Sequence, residues 1–168
     1  MSKSFVTKAA TFLAIAFAIV LAIQGISQSN KDHFVIIMER GLCHGECPAY
    51  QLTIYSDGTV YYRGDIHVAK EGDFVAKLSS SQIAILLKEI EQSKIFNDNY
   101  GCCRGSIKDV AYVRLSIILN GQETFAGYAT NDYKAAPYEL RHLECMIDKV
   151  ANSIKWVGKD AYCKDVLK

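Results

Sequence analysis

Proline, runs of like charge and low-complexity tracts are what this chain has least of. Two prolines in 168 residues exclude a Pro-rich linker. A balance of 19 Lys+Arg against 18 Asp+Glu leaves no electrostatic footprint for nucleic acid, which is not an expected partner. There is no Gly-x-Ser-x-Gly elbow, no His-Glu-x-x-His pair and no phosphate-cradling glycine loop. The four histidines, His33, His44, His67 and His142, are scattered. No catalytic residue and no cofactor is assigned on this basis, and the balance tilts away from an enzyme. The length suits one domain with a real core, not two.

The N-terminus differs in kind from the rest. Lys3 and Lys8 precede a run from Ala9 to Ile23 that is apolar except at Thr11. That is the length of a signal-peptide core and short of the ~20 residues a spanning helix prefers. Gly25-Ile26-Ser27 offers small residues for cleavage before Gln28, while reading on to Ile26 approaches the lower limit of a membrane anchor. Residues 1–29 are therefore a signal peptide or an N-terminal anchor. Either way the lysines keep that end cytoplasmic and place residue 30 onward outside, in a periplasmic or extracellular setting. Membrane contact is expected only through residues 9–26, and only if they are retained.

The exported part reads as strands and helices in blocks. Phe34–Met38 is a compact β-branched run. From Tyr50 the chain alternates, with Tyr50, Leu52 and Ile54 on one face and Gln51, Thr53 and Tyr55 on the other. Ser56-Asp57-Gly58 supplies turn chemistry before Thr59–Tyr62. Weaker strands follow at Ile66–Ala69 and Phe74–Leu78. Ser79-Ser80-Ser81 forms an N-cap cluster ahead of Ile83, Leu86, Leu87 and Ile90 at helical spacing. Phe96 to Arg104 reads as a loop. Asn120-Gly121 joins Tyr112–Leu119 to Thr124–Ala129, the strongest short hairpin signal. Pro137 opens a helix to about Lys155, with Leu140, Leu143, Ile147, Val150, Ala151 and Ile154 on its buried side. The order predicts an α+β fold over residues 30–158, an antiparallel β-sheet built from hairpins with two helices on one face, and a tail at 159–168.

Glu39-Arg-Gly-Leu-Cys-His-Gly-Glu-Cys-Pro-Ala-Tyr50 followed by Ser56-Asp-Gly-Thr-Val60 resembles an uncharacterised family of exported microbial proteins. That family is marked by Arg-x-x-Cys-x-Gly-x-Cys-Pro-x-Tyr and an Asp-Gly turn. Ile95-Phe96, Tyr100, Asp109, Ala136-Pro137, Leu143-Glu144, Ile147-Asp148 and Trp156-Val-Gly158 also match, so the resemblance spans roughly residues 34 to 158. It implies a fold and no mechanism. Cys102-Cys103 and the tail with Cys163 go beyond it.

Six cysteines, an even number in an exported domain, point first to disulfides. Cys43 and Cys47 flank Gly45 closely enough to pair. Cys145 falls on the side of the last helix away from the apolar stripe, with Lys149, Asn152 and Trp156. A tail folding back with Tyr162 and Cys163 would cover both Cys145 and Trp156, which predicts a Cys145–Cys163 bridge. Cys102 and Cys103 remain as neighbours or as rivals for Cys43 and Cys47. The alternative is a thiol or metal site for zinc or copper from Cys43, His44 and Cys47, with Cys102 and Cys103 near it. Cys-x3-Cys matches neither the redox nor the haem-attachment spacing.

Arg40 and His44 on the cysteine loop and Asp57 in the turn form a candidate binding loop. Arg40 and Glu39 read equally as surface charge, and Asp57, Asp73, Asp98 and Asp109 as solvated turn formers. Tyr50, Tyr55, Tyr61, Tyr62, Tyr112 and Tyr128 could line a glycan- or peptide-binding face, although strand propensity alone accounts for tyrosines there. The expectation is a disulfide-stabilised binding or structural module of the cell envelope, whose partner is an unknown protein or envelope ligand. A thiol- or metal-binding protein and an uncharacterised hydrolase or hydrolase inhibitor are the alternatives.

Overall fold

In the computed structural model, residues 32–42, 45–97, 112–129, 136–159 and 162–167 are described. The N-terminal apolar segment, Cys43, His44, Cys102, Cys103 and the turn acids Asp98 and Asp109 lie outside them. Asp32–Lys168 forms one compact unit.

Six strands make one antiparallel sheet. In chain order they are β1 (Phe34–Arg40), β2 (Ala49–Tyr55), β3 (Thr59–Ile66), β4 (Gly72–Lys77), β5 (Tyr112–Leu119) and β6 (Gln122–Ala129). Their order across the sheet is β4-β3-β2-β1-β5-β6. A four-stranded meander, β1 to β4, and the β5–β6 hairpin thus meet along β1, an inner strand. Two helices, α1 (Ser80–Gln92) and α2 (Tyr138–Ala151), are followed by a single turn, α3 (Ile154–Val157). The result is the α+β sheet-and-helix architecture that the element order predicts. Among the described residues no helix is long and apolar enough to cross a membrane.

Alternation decides which face is covered. Phe34, Ile36 and Met38 of β1, Leu52 and Ile54 of β2, Val60 and Tyr62 of β3, and Val113, Leu115 and Ile117 of β5 are buried in one cluster. Leu86 and Ile90 of α1 and Leu140, Leu143 and Ile147 of α2 join them. The strand tyrosines divide by the same parity. Tyr50, Tyr62 and Tyr128 enter the core, while Tyr55 and Tyr61 are exposed on the other face. Helix α1 starts with a full capping box between Ser79 and Gln82. Gln82 also ties α1 to α2 by donating its side-chain amide to the Val150 carbonyl at 3.0 Å.

Four expectations are corrected. No separate strand occupies Ile66–Ala69, because β3 runs on to Ile66 and His67 then turns with φ 59°. The Ala69 and Lys70 amides instead donate to the carbonyls of Val157 and Trp156. The last helix stops at Ala151 rather than Lys155, because Asn152 adopts the left-handed conformation (φ 52°, ψ 45°). That break turns Ile154, expected inside, out to 45 % exposure. It also swings Trp156 onto the sheet, where it stacks on Tyr62 with ring centres 4.8 Å apart. Trp156, expected on the outward side, is therefore buried against Tyr62 of β3 and Phe74 of β4.

Gly158 closes α3 with φ 81°, and a Cβ there would lie 2.6 Å from the Ala69 Cβ. Gly158→Ala should strain the backbone and push away the 69–70 segment that caps Trp156. Chemical denaturation should show a loss of about 1–3 kcal/mol.

Candidate functional site

Arg40 is the residue that the structure moves furthest from its expected place. It is the last residue of β1, not part of the loop, and strand parity carries it inward after Phe34, Ile36 and Met38. It is 1 % exposed, so the surface-charge reading is wrong. A buried guanidinium must find acceptors or destabilise the fold. Its cross-strand neighbour Tyr50 accepts from Arg40 Nε at 3.0 Å. From above, Asp148 of α2 accepts from Nε at 3.1 Å and from Nη2 at 2.8 Å.

The helix break supplies the rest. With Asn152 left-handed, the Ser153 amide donates to the Asp148 carbonyl at 3.0 Å. The Ser153 hydroxyl donates to Asp148 Oδ1 at 2.6 Å, where Tyr50 also donates at 2.8 Å. Four donors thus fill the carboxylate, about its full acceptor capacity. Burial alone would lower the Arg40 pKa, but Tyr50, Asp148 and Glu144 outweigh it and hold the group above its ordinary value. Burial, reinforced by Asp148, pushes the Tyr50 phenol well up.

Glu144 lies one helical turn before Asp148 and is 1 % exposed. It accepts from the Tyr128 hydroxyl at 2.6 Å through Oε2. Among the described residues, its Oε1 and the Arg40 Nη1 are buried without a hydrogen-bond partner. Burial raises its pKa to about 7, with Arg40 and Tyr128 pulling the other way.

The tail closes the cluster. Cys145 and Cys163 form a disulfide with Cα atoms 5.5 Å apart, and Tyr162 lays its ring over the Arg40 guanidinium at 4.5 Å. Residues 162–167 are thus packed against the domain, and Val166 is 3 % exposed. Between α2, α3 and this tail opens a cleft of about 360 Å³. Tyr50, Asp148 and Ser153 form its polar end, Ile154, Val157 and Leu167 its apolar wall, and Lys149 and Lys159 its cations.

The other expected site residues scatter. Asp57 sits at the far end of β2 as a turn former, its carboxylate accepting from the Thr59 amide at 2.8 Å. These bonds and Lys77 hold its pKa at about 2. Arg40 and Asp57 therefore share no site, and His44 lies outside the described residues. Cys47 is disulfide-bonded, to a partner outside the described residues, so its sulfur is no thiolate ligand. Among the described residues no group of three His, Cys, Asp or Glu could hold a metal ion. Sequence reading missed Glu144, Asp148 and Ser153. The signal for the first two was their spacing, since Leu140, Glu144 and Asp148 follow one another at i+4 along one helix face.

Fold and cluster together define an α+β sheet-and-helix domain with a buried ion pair and a disulfide-held tail. Residues 34–151 match the family described as Domain of unknown function (DUF6438), and the chain belongs to that family. No curated protein matches the chain.

Two predictions follow from the cluster's chemistry. Arg40→Ala strands Asp148 and should cost about 3–5 kcal/mol in denaturant unfolding. The double variant Arg40→Met with Asp148→Leu should recover most of that loss. Glu144 gives a pH dependence of definite sign. Its folded pKa of about 7 lies above the ordinary 4.5, so the folded state binds the extra proton between those values. Stability is unpenalised below pH ~4.5, falls as pH rises towards about 7, and is flat above. Glu144→Gln should flatten this slope and stabilise the protein at pH 8 by up to about 3 kcal/mol in thermal unfolding across pH 4–8.

Proposed function

We propose that this chain is an exported, disulfide-stabilised binding module of the cell envelope whose ligand occupies the cleft between α2, α3 and the tail. The observation that carries the reading is the disulfide-pinned cleft itself. The Cys145–Cys163 bridge fixes the tail, and Lys159 Nζ donates to the Glu46 carbonyl at 2.6 Å, fastening the cleft to the loop before β2. A site held in place before its ligand arrives loses less entropy on binding.

The chemistry of the lining favours binding over turnover. Asp148, the carboxylate at the polar end, already accepts four hydrogen bonds, which leaves no lone pair to receive a substrate proton. Ile154, Val157 and Leu167 offer an apolar wall, and Lys149 and Lys159 offer positive charge. The fitting ligand is a small amphipathic anion.

Export rests on three features: the lysines before the apolar run, the cleavable small residues after it, and oxidised cysteines in the folded part. The stretch Cys43–Tyr50, which resembles a motif of exported proteins, supports the same setting.

Titration with 1-anilinonaphthalene-8-sulfonate, an aromatic body carrying one sulfonate, tests the reading. Saturable one-site fluorescence enhancement is expected, and Ile154→Trp, which fills the cleft from an exposed position, should weaken it by about tenfold or more. Unchanged binding in a variant that keeps its melting temperature would show that the cleft is not the site.

A further inference from the structure

On the other face of the sheet, at the other end of β2, a second concavity stands apart from the cleft. It is a shallow depression of about 370 Å³ lined by His33, Tyr55, Ser56, Asp57, Thr59 and Tyr61. We propose that this depression is a saccharide-binding platform, in which Tyr55 and Tyr61 stack against a sugar ring and the turn residues take its hydroxyls.

Geometry supplies the first argument. Tyr55 and Tyr61 are 39 % and 51 % exposed, on the face that the helices do not cover. Their rings meet nearly at right angles, 84°, with centres 5.8 Å apart. One ring therefore offers a face where the other offers an edge, and the pair forms a corner rather than a flat patch. Tyrosine is suited to this role because its ring is rigid and apolar while its hydroxyl remains wet.

The rim is already built. Thr59 donates its amide and its hydroxyl to the two Asp57 oxygens, each at 2.8 Å. Lys77 Nζ reaches Asp57 at 3.0 Å and Thr59 Oγ1 at 2.9 Å. His33 is pinned to the neighbouring hairpin turn, its amide donating to Asn120 Oδ1 at 3.0 Å and its carbonyl accepting from the Asn120 amide at 2.8 Å. Both hairpins thus hold the depression in shape without a ligand.

Charge selects the ligand class. Asp57 and Lys77 neutralise each other across the rim, so neither an anion nor a cation gains a net partner. A lipid tail would face a polar rim. A peptide adding as a strand would need a free sheet edge, whereas β2 and β3 are both inner strands. A neutral, hydroxyl-rich ring with one apolar face meets every condition.

The experiment uses the full-length chain, isotope-labelled, titrated with two neutral tetrasaccharides: chitotetraose (β-linked N-acetylglucosamine) and cellotetraose. Binding to purified peptidoglycan and to cellulose is measured by sedimentation in parallel. Saturable shifts of the Tyr55 and Tyr61 ring signals with either sugar are expected. Tyr61→Ala should weaken binding by about tenfold, and Tyr61→Phe should retain it within about threefold. Ile154→Trp, which blocks the cleft, should leave saccharide binding unchanged, so this inference stands or falls apart from the cleft reading. Sedimentation with peptidoglycan but not cellulose would identify an envelope glycan as the source, and the reverse a free or foreign one. The proposal is overturned if neither sugar shifts the tyrosine signals, if Tyr61→Ala binds as the parent does, or if a tyrosine-rich peptide competes where sugars do not.

Discussion

A guanidinium that cannot reach water sits at the end of an inner strand, and much of the surrounding architecture answers its charge. Arg40 is inward because strand parity leaves it no other side. Once it is there, desolvation demands a counter-charge and several acceptors. Tyr50 comes from register, since β1 and β2 set the two residues opposite each other. Asp148 comes from the helix, Ser153 from the left-handed break after it, and Tyr162 from the tail. Three separate stretches of chain converge on one side chain, and Ser153 braces the carboxylate that pairs with it. Any slip of α2 along the sheet would unpair the buried guanidinium from its part-buried carboxylate.

The tail depends on that convergence and repays it. Cys145 lies on the flank of α2 beside Glu144, and its bond to Cys163 closes a separation of 18 residues. A loop of that size is worth roughly 3 kcal/mol through the unfolded state. The structural consequence is local: the bridge keeps Tyr162 over Arg40, where the aromatic face adds a cation–π contact and keeps water off the guanidinium. The tail is thus both a roof for the ion pair and one wall of the cleft.

Periodic features of this chain were legible in its sequence, and single residues with tertiary obligations were not. The hairpin turns at Asp57-Gly58 and Asn120-Gly121, the Ser79 cap and the α2 stripe all rest on local chemistry, and all are found. The bridge between Cys145 and Cys163 could be read because helix geometry displaced Cys145 from the stripe, although the outward Trp156 that joined it in that reading is instead buried on Tyr62. Arg40 was misplaced although its signal existed. The period-two pattern Phe34, Ile36, Met38 continues to residue 40, but a charged side chain there looks like the end of a strand. The Asn152 break was invisible for a different reason. Asn is tolerated within helices, and the left-handed turn is held by the capping bonds from the Asn152 and Ser153 amides, the Ser153 hydroxyl on Asp148 and the docking of Trp156 on Tyr62.

Why a domain of this size carries an ion pair in its core is a question of specificity more than of strength. Apolar residues of equal volume stabilise a core as well as or better than a buried pair does. What they cannot do is fix register, because Leu slides on Leu at little expense whereas a guanidinium matched to one carboxylate does not. Glu144 shows the limit of the device: a second carboxylate in the same core lacks a complete set of partners and is raised to about 7. Register matters here because every cleft residue on α2 and α3 inherits its position from Asp148. If α2 rotated or slid by one residue, Ser153, Asn152 and Lys149 would leave the cleft together. The buried pair thus sets the geometry of a surface site that Arg40 itself does not line.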